Sequence, residues 1–228
     1  MKNDNQQTSI IIPAAGAGRR MKSYGPKPLI KVGDSTIIKN QISLLRAYIP
    51  DSQIVLVCGF KADRLMNETP DYILKIENEK YATTNVVRSI GMGLRVCAQS
   101  TRVIVVYGDL VFNSEAVKNL PGESCVVVTD AGMGDNEVGC IVDKHNYLTH
   151  LMYDLPDKWG QIAVFTGKEL EYLRQFCWED KNACRFGFEV MNQIIDKGGK
   201  FLCISNDKIK MVDIDSSKDI QKAKEILL

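Results

Sequence analysis

Short runs of β-branched residues recur along the chain and alternate with segments of helical periodicity. The runs SIIIP at 9–13, QIVLVC at 53–58 and RVIVVY at 102–107 are apolar on both faces, which is typical of strands buried in the centre of a sheet. Residues spaced at four, three and four form one face of a helix between the first two runs: Ile38, Ile42, Leu45 and Ile49. This alternation predicts an α/β fold with a parallel sheet.

The alternation continues to about residue 129 and then changes. The stretches EVGCIVDK, YLTHLMYD and WGQIAVFT, between 137 and 166, follow one another without a helix, which predicts an antiparallel extension of the sheet. We therefore expect a Rossmann-like three-layer α/β/α fold with a mostly parallel mixed sheet and a small antiparallel insert at approximately 131–165. No repeat or linker divides the sequence, so residues 1–228 are expected to form a single domain.

Charge and cysteine usage exclude several classes of partner. The 29 basic and 28 acidic residues of the 228-residue sequence leave a formal net charge of +1, so no global field attracts nucleic acid or an anionic membrane. The polar start MKNDNQQTS lacks the apolar core of a signal peptide. Four of the seven cysteines lie in apolar runs and are expected to be buried free thiols in a reducing cytoplasm: Cys58, Cys125, Cys140 and Cys203.

A glycine-rich loop follows the first apolar run. The segment from Pro13 to Met21 reads PAAGAGRRM, and residues without bulky side chains let backbone N–H groups approach a phosphate closely. It matches neither the P-loop pattern GxxxxGK[S/T] nor the dinucleotide pattern GxGxxG, since Met21 takes the last place. Arg20 and Lys27 add two cations, which suits a triphosphate whose pyrophosphate leaves with developing negative charge.

Aspartates follow two of the later apolar runs. Asp109 ends the run RVIVVY in the context YGDLVF, and Asp213 and Asp215 occur in VDID before the last helix. In open α/β sheets, ligands bind outside the carboxyl ends of the strands, and Mg²⁺ takes one or two carboxylates plus phosphate oxygens. Separated carboxylates together with a basic phosphate loop therefore predict a magnesium–nucleotide site.

The segments PAAGAGRRM…GPKPLIKV, YGDLVF and VDIDSSKDIQKAKEIL resemble the nucleoside-triphosphate transferases of sugar-1-phosphates and related phosphomonoesters over nearly the whole chain. Within that superfamily the chain is most similar to small bacterial choline-phosphate cytidylyltransferases, through Asn78, Tyr81, Asn85 and Ser89 in a pattern N-x-x-Y…N…S. One departure is Pro13, where family members usually carry leucine or isoleucine.

The resemblance implies a cytoplasmic nucleotidyltransferase that moves CMP from CTP to a small phosphomonoester, such as phosphocholine or a sugar or polyol phosphate, and releases pyrophosphate with Mg²⁺. It implies catalytic roles for Arg20 and Lys27 and metal ligation by Asp109 and Asp215. It also implies a nucleotide-binding set: Ala14, Ala15, Gly16, Gly18, Arg20, Lys27, Asn85, Ser89 and Asp109. A homodimer is left open, and no nucleic-acid or membrane partner is expected.

Three alternatives remain at this point. The first is a sugar-1-phosphate nucleotidyltransferase that uses UTP, dTTP or GTP. The second is a glycosyltransferase that uses Asp213-x-Asp215 as a DxD motif, although such enzymes lack the paired loop and PKxL segments. The third is a catalytically silent nucleotide-binding regulatory domain. For the acceptor, Tyr153, Asp154 and Trp159 are candidates, because a quaternary ammonium favours an aromatic or acidic cage.

Overall fold

The computed structural model describes residues 7–18, 25–129 and 137–227, and Arg20 lies outside them. The strands are β1 Thr8–Pro13, β2 Lys31–Val32, β3 Ser35–Thr36, β4 Gln53–Cys58, β5 Leu74–Glu77, β6 Arg102–Val106, β7 Leu110–Phe112, β8 Cys125–Thr129, β9 Val138–Val142, β10 Leu148–Tyr153, β11 Asp157–Thr166, β12 Leu202–Ile204 and β13 Met211–Asp213. The α-helices are α1 Ile37–Tyr48, α2 Ala62–Asn67, α3 Val86–Val96, α4 Gly167–Trp178, α5 Gly187–Asp196 and α6 Ser217–Leu227.

The main sheet is mixed, with a parallel half and an antiparallel half. Its strands run in the order β10-β9-β11-β6-β1-β4-β5, and β8 and β12 extend it beside β11. The pairs β1–β4, β1–β6 and β4–β5 are parallel, whereas β11 is antiparallel to β6, β8 and β9. The carboxyl ends of β1, β4 and β6 therefore share one edge, where ligands of such sheets bind.

Alternate residues of the central strands bury opposite faces of the sheet. Ile10 and Ile12 of β1 pack with α1 and α2 in one apolar cluster, whereas Ile11 lies in a second cluster with α3, α4 and α5. All three side chains are fully buried. A strand that is apolar at every position needs helices on both faces, because its side chains alternate between them. The predicted three-layer α/β/α fold is confirmed.

The stretches expected to be antiparallel form β9, β10 and β11, as the pattern of residues 137–166 predicts. β10 pairs with β9, and β9 pairs with the first residues of β11. The proposed start of the insert, at residue 131, lies outside the described residues. β5 begins only at Leu74, because Pro70 and Ile73 form a turn before it, in which the Ile73 N–H donates to the Pro70 carbonyl.

The two glycines of α3 pack against neighbouring elements. A Cβ on Gly93 would lie 2.7 Å from a side-chain carbon of Ile11 in β1, and a Cβ on Gly91 would lie 2.9 Å from the Cys177 carbonyl oxygen in α4. Both distances are too short for an added methyl group. The helix therefore carries glycine, which disfavours helices intrinsically, because its neighbours approach too closely for a side chain.

A separate two-stranded sheet joins segments that are far apart in the sequence. β7 pairs antiparallel with β13, and Leu110 lies opposite Asp213. Helix α6 packs on this pair through Ala223, with Ile220 and Leu227 partly buried beside it. Within the described ranges, no helix is both long and apolar enough to cross a bilayer.

Candidate active site

The glycine-rich loop leaves β1 at the shared carboxyl edge of the parallel strands. The Ala14 N–H donates to the Val57 carbonyl (2.8 Å), and the Ala15 carbonyl accepts from the Phe60 N–H (3.0 Å). Both bonds hold the loop against the end of β4. At Gly16 a Cβ would meet no atom within 4 Å, and its φ is not positive, so neither packing nor backbone conformation requires glycine there. The open space at Gly16 suits the close approach of a ligand.

Gly18 ties this loop to Lys27. Gly18 has a φ of +55°, in the left-handed region that favours glycine, and a Cβ there would lie 3.1 Å from Cγ of Lys27. The aliphatic part of the Lys27 side chain therefore passes directly over the loop. Lys27 itself begins a short 3₁₀-helix, Lys27–Leu29, that follows Pro26.

The Lys27 ammonium lies between the two carboxylates that the sequence singled out. Its Nζ is 3.0 Å from Oδ2 of Asp109 and 2.5 Å from Oδ1 of Asp215. Burial alone lowers the pKa of Lys27, but the two carboxylates outweigh burial and raise the pKa above its ordinary value. Lys27 is therefore fully charged at neutral pH.

Backbone hydrogen bonds bring the two carboxylates together. Asp109 lies in the turn between β6 and β7, and its carbonyl accepts from the Ile214 N–H (3.0 Å) at the end of β13. The Asp219 carboxylate accepts from the N–H groups of Asp215 (3.2 Å) and Ser216 (2.7 Å), the two residues that precede α6. These hydrogen bonds cap the start of the helix. The pairing of β7 with β13 thus places Asp215 beside Asp109.

The two carboxylates fit the ligand preference of Mg²⁺. Both reach the same cation, so their oxygens converge on one point, and Mg²⁺ usually completes its shell with phosphate oxygens and water. Among the described residues no group of three or more histidine, cysteine, aspartate or glutamate side chains is arranged to hold a metal ion. The donor set therefore suits a cation that arrives with a triphosphate better than a metal held by protein ligands alone.

The start of α3 forms another wall of the same space. Asn85 caps the helix, and its Oδ1 accepts from the Val86 N–H (2.8 Å). Ser89 is buried, and its hydroxyl accepts from Nδ2 of Asn78 (3.1 Å). Asn78 also donates to the Thr84 hydroxyl (3.2 Å), so it holds the loop before α3 in place.

One cavity of about 340 Å³ joins these parts. It is lined by each predicted site residue that the structure describes: Ala14, Ala15, Gly16, Gly18, Lys27, Asn85, Ser89, Asp109 and Asp215. The predicted Arg20 lies outside the described residues. The structure brings this set together in space, and the individual roles of its members stay predictions.

Aromatic side chains also line the cavity. They are Tyr81, Tyr107, Tyr153, Trp159, Phe186 and Phe188. Tyr107 meets Trp159 edge-on at 5.7 Å between ring centroids, and Tyr153 meets Phe188 edge-on at 5.4 Å. Of the acceptor candidates, Tyr153 and Trp159 are in this lining, whereas Asp154 is not.

Sequence reasoning missed an acidic cluster beside the aromatic wall. Lys158 is buried and forms ion pairs with Glu137 and Asp213, both of which line the cavity. Burial alone lowers the pKa of Lys158, but the paired carboxylates outweigh it and raise the pKa. The DxD motif alone indicated Asp213 as a candidate, and no local pattern indicated Lys158 or Glu137.

A bulge in β11 adds Gln161 to the lining. The pairing of β11 with β8 shifts register between Trp159 and Ala163, and Gln161 has a φ of +57°. Residues other than glycine rarely adopt this conformation, and they do so where a bulge redirects a side chain. No sequence signal marked this position.

A mixed α/β sheet with a glycine-rich loop, a lysine and two carboxylates at its carboxyl edge defines the class of the nucleotidyltransferases. The chain belongs to the family described as the MobA-like NTP transferase domain, whose model matches residues 10–185. The predicted membership of the nucleotidyltransferases is thereby confirmed.

Solved structures share this fold at low sequence identity. The CTP:phosphocholine cytidylyltransferase LicC from Streptococcus pneumoniae superposes with a TM-score of 0.81 at 19% identity, over 97% of this chain and 100% of that one. The inositol-1-phosphate CTP transferase from T. maritima superposes with a TM-score of 0.73 at 17% identity, over 97% and 96% of the two chains. At these identities the likeness concerns the fold.

Curated relatives match a shorter segment. The bifunctional protein GlmU from Buchnera aphidicola is 28% identical over 118 residues, which is 50% of this chain and 25% of that protein. GlmU from Burkholderia thailandensis is 32% identical over 104 residues, which is 45% of this chain and 22% of that protein. The match thus spans about a quarter of the length of these relatives.

Proposed function

We propose that this chain transfers CMP from CTP to a small phosphomonoester with a cationic headgroup, such as phosphocholine, and releases pyrophosphate. The observation that carries this proposal is that one cavity is lined by the glycine-rich loop, Lys27 and the two carboxylates and also by aromatic and acidic side chains. The proposal for CTP is further supported by the resemblance to choline-phosphate cytidylyltransferases and by the CTP enzymes among the structural neighbours.

The reaction needs alignment and charge stabilisation more than proton transfer. A phosphate oxygen of the acceptor attacks the α-phosphorus of the triphosphate, a new P–O–P bond forms, and the bond to the β-phosphate bridging oxygen breaks as pyrophosphate leaves. Because a phosphate dianion is already deprotonated, no general base is required. Within this scheme Gly16 leaves room for the triphosphate, and Lys27 stabilises the charge that develops on the leaving group.

Asp109 and Asp215 are proposed to hold Mg²⁺. When bound, Mg²⁺ would supply charge neutralisation at the triphosphate. The two carboxylates would exchange their present contacts with the Lys27 ammonium for this ligand, which would free Lys27 to meet the phosphates. Asn85 and Ser89 are proposed to lie near the nucleotide, because they line the same cavity as the glycine-rich loop. Arg20 is proposed as a second cation on the sequence pattern alone.

The aromatic and acidic wall supports a cationic acceptor. A quaternary ammonium is attracted by aromatic faces and by carboxylates, and both line this cavity, the carboxylates being those of Glu137 and Asp213. The neutral ring of a sugar phosphate would gain neither attraction. We therefore propose that the aromatic and acidic side chains select the acceptor. The glycine-rich loop, Asp109 and Asp215 are proposed to bind the triphosphate and its cation.

A pyrophosphate-release screen tests the proposal. CTP, UTP, dTTP and GTP are each combined with phosphocholine, phosphoethanolamine, glycerol 3-phosphate, glucose 1-phosphate and inositol 1-phosphate in the presence of Mg²⁺. We expect the highest kcat/KM with CTP and phosphocholine. A preference for UTP or dTTP with a sugar phosphate would replace this proposal with the sugar-1-phosphate alternative, and binding of CTP–Mg²⁺ without turnover on the panel would favour a regulatory domain.

A further inference from the structure

Gln41 connects α1 to the turn that carries Asp109. Its side chain is 2% exposed. Its amide nitrogen donates to the Tyr107 carbonyl (2.8 Å) and to the Leu110 carbonyl (2.7 Å). Both acceptors are more than 60 residues away in the sequence, so these are tertiary contacts and not part of the helix.

The two carbonyls enclose Gly108 and Asp109. One amide group therefore spans the base of the turn from which the Asp109 carboxylate projects. The turn is held on its other sides as well, since the Gly108 N–H donates to the Pro13 carbonyl (3.2 Å) and the Asp109 carbonyl accepts from Ile214 (3.0 Å). Gln41 supplies the contact from the α1 side.

Close packing leaves the turn at Gly108 and Asp109 little room to move. A Cβ on Gly108 would lie 2.9 Å from the Ala14 Cβ, so the turn packs directly on the glycine-rich loop. A small shift of the turn would change the distance between Asp109 and the loop. The position of the Asp109 carboxylate relative to a bound triphosphate thus depends on contacts that Gln41 helps to set.

Gln41 makes these contacts at a cost. Its Oε1 is buried and finds no hydrogen-bond partner among the residues that the structure describes. An unsatisfied buried acceptor destabilises a protein. Fold stability by itself therefore gives a weak reason for glutamine at this position, whereas the double contact with the turn gives a specific one.

We propose that Gln41 is a positioning residue that holds Asp109 in the place where it contributes to divalent-cation binding with the triphosphate. This inference rests on the metal role of Asp109 in the proposed function. It does not depend on which acceptor is used, because Gln41 acts on the turn at the triphosphate end of the cavity. Gln41 itself is absent from the cavity lining.

The test compares Gln41→Met with Thr69→Val. Methionine keeps a similar length and removes both hydrogen bonds to the turn. Thr69 is a matched control, because its buried hydroxyl also contacts two backbone carbonyls, those of Leu65 (3.2 Å) and Met66 (3.0 Å), but lies outside the cavity lining. Gln41→His, which retains a ring N–H donor, serves as a second variant if Gln41→Met does not fold.

Two quantities are measured: Mn²⁺ binding in the presence of CTP, followed by the EPR signal of free Mn²⁺, and the Mg²⁺ concentration for half-maximal pyrophosphate release. We expect Gln41→Met to lower the affinity for Mn²⁺ about tenfold and to raise the Mg²⁺ concentration for half-maximal release by about the same factor. Loss of a group that orients a metal ligand typically has an effect of this size. Gln41→His is expected to lie between Gln41→Met and the wild type. Thr69→Val is expected to lower Tm without changing either quantity.

The outcomes separate this inference from the proposed function. Wild-type turnover with unchanged cation dependence in Gln41→Met and Gln41→His would overturn the role of Gln41 and leave the reaction intact. Mn²⁺ binding that Gln41→Met weakens, in a protein that releases no pyrophosphate, would support Gln41 and refute the reaction. Absence of Mn²⁺ binding by the wild type with CTP, UTP, dTTP or GTP would overturn both.

Discussion

Gly16 and Gly18 lie two residues apart in the same loop, but the structure constrains only one of them to be glycine. Gly18 has a positive φ and packs on the Lys27 side chain, whereas Gly16 has neither constraint and faces open space in the cavity. A side chain at Gly16 is therefore compatible with the fold and intrudes only on what the cavity binds.

This difference predicts the effect of Gly16→Ala. We expect Tm to stay within about 2 °C of the wild type, because the added methyl group meets no atom of the described residues within 4 Å. CTP affinity, measured by calorimetry, is expected to fall at least about tenfold, since the methyl group displaces the phosphates from the backbone. Gly122→Ala is the control, because Gly122 also faces open space but is outside the cavity lining. Unchanged CTP affinity in Gly16→Ala would argue against the loop as a phosphate site.

Lys27 is expected to affect turnover far more than folding. Lys27→Met removes the cation proposed to stabilise the leaving pyrophosphate, so kcat should fall about 10²–10³-fold. Lys39→Met is the control, because Lys39 also forms an ion pair, with Glu68 at 2.9 Å, but on an exposed surface away from the cavity. Steady-state pyrophosphate release measures both variants, and a Lys27→Met enzyme within threefold of the wild-type kcat would refute the assigned role.

At the scale of elements, close packing sets the composition of α3. Its intrinsic helix propensity would improve by about 1 kcal/mol for each glycine replaced by alanine. At Gly91, however, a methyl group would press on the carbonyl oxygen of Cys177, which belongs to the backbone of α4 and cannot rotate away. Packing between α3 and α4 therefore outweighs propensity.

Gly91→Ala is accordingly expected to lower the free energy of unfolding by about 1–2 kcal/mol, as overpacking of a close contact typically does. Urea unfolding followed by circular dichroism measures the change. An increase in stability would mean that the two helices separate easily and that helix propensity dominates at this site.

At the scale of the whole molecule, buried thiols link stability to alkaline pH. Burial raises the pKa of five cysteines from 9.0 to about 12: Cys58, Cys125, Cys140, Cys177 and Cys203. In the unfolded chain these thiols ionise near pH 9, whereas in the folded protein they remain neutral. The stability that this neutrality provides is complete below pH 9 and is lost as pH rises toward the folded pKa.

We therefore expect the free energy of unfolding to be nearly constant between pH 7 and 8 and to fall by several kcal/mol by pH 10. Lys27 and Lys158 add to this loss only above about pH 10.5, since their pKa values are raised as well. Urea titrations across this pH range measure the free energy of unfolding. A flat profile up to pH 10 would contradict the expectation.

Thiol labelling at pH 8 provides a check. Cys184 is exposed and should react quickly, while the six buried cysteines react only after unfolding.

Much of the architecture was predictable because it depends on local patterns. The bounds of β4 agree with the expected 53–58, and α1, Ile37–Tyr48, begins and ends one residue before the expected apolar face from Ile38 to Ile49. The glycine-rich loop could be placed from its neighbours, since a buried strand must end where Gly and Ala replace β-branched residues. The burial of Cys58, Cys125, Cys140 and Cys203 followed from the same apolar runs and is confirmed.

The sequence by itself determined the layered α/β fold and the position of the glycine-rich loop, because side-chain periodicity decides which faces of a strand or helix are buried. Only the tertiary structure decided that Asp215 lies beside Asp109, that Lys158 joins Glu137 to Asp213, and that Gln41 reaches the Asp109 turn. These contacts join segments that lie 21 to 188 residues apart. No local pattern encodes them, since they arise from the pairing of strands such as β7 and β13 and from the packing of helices on them.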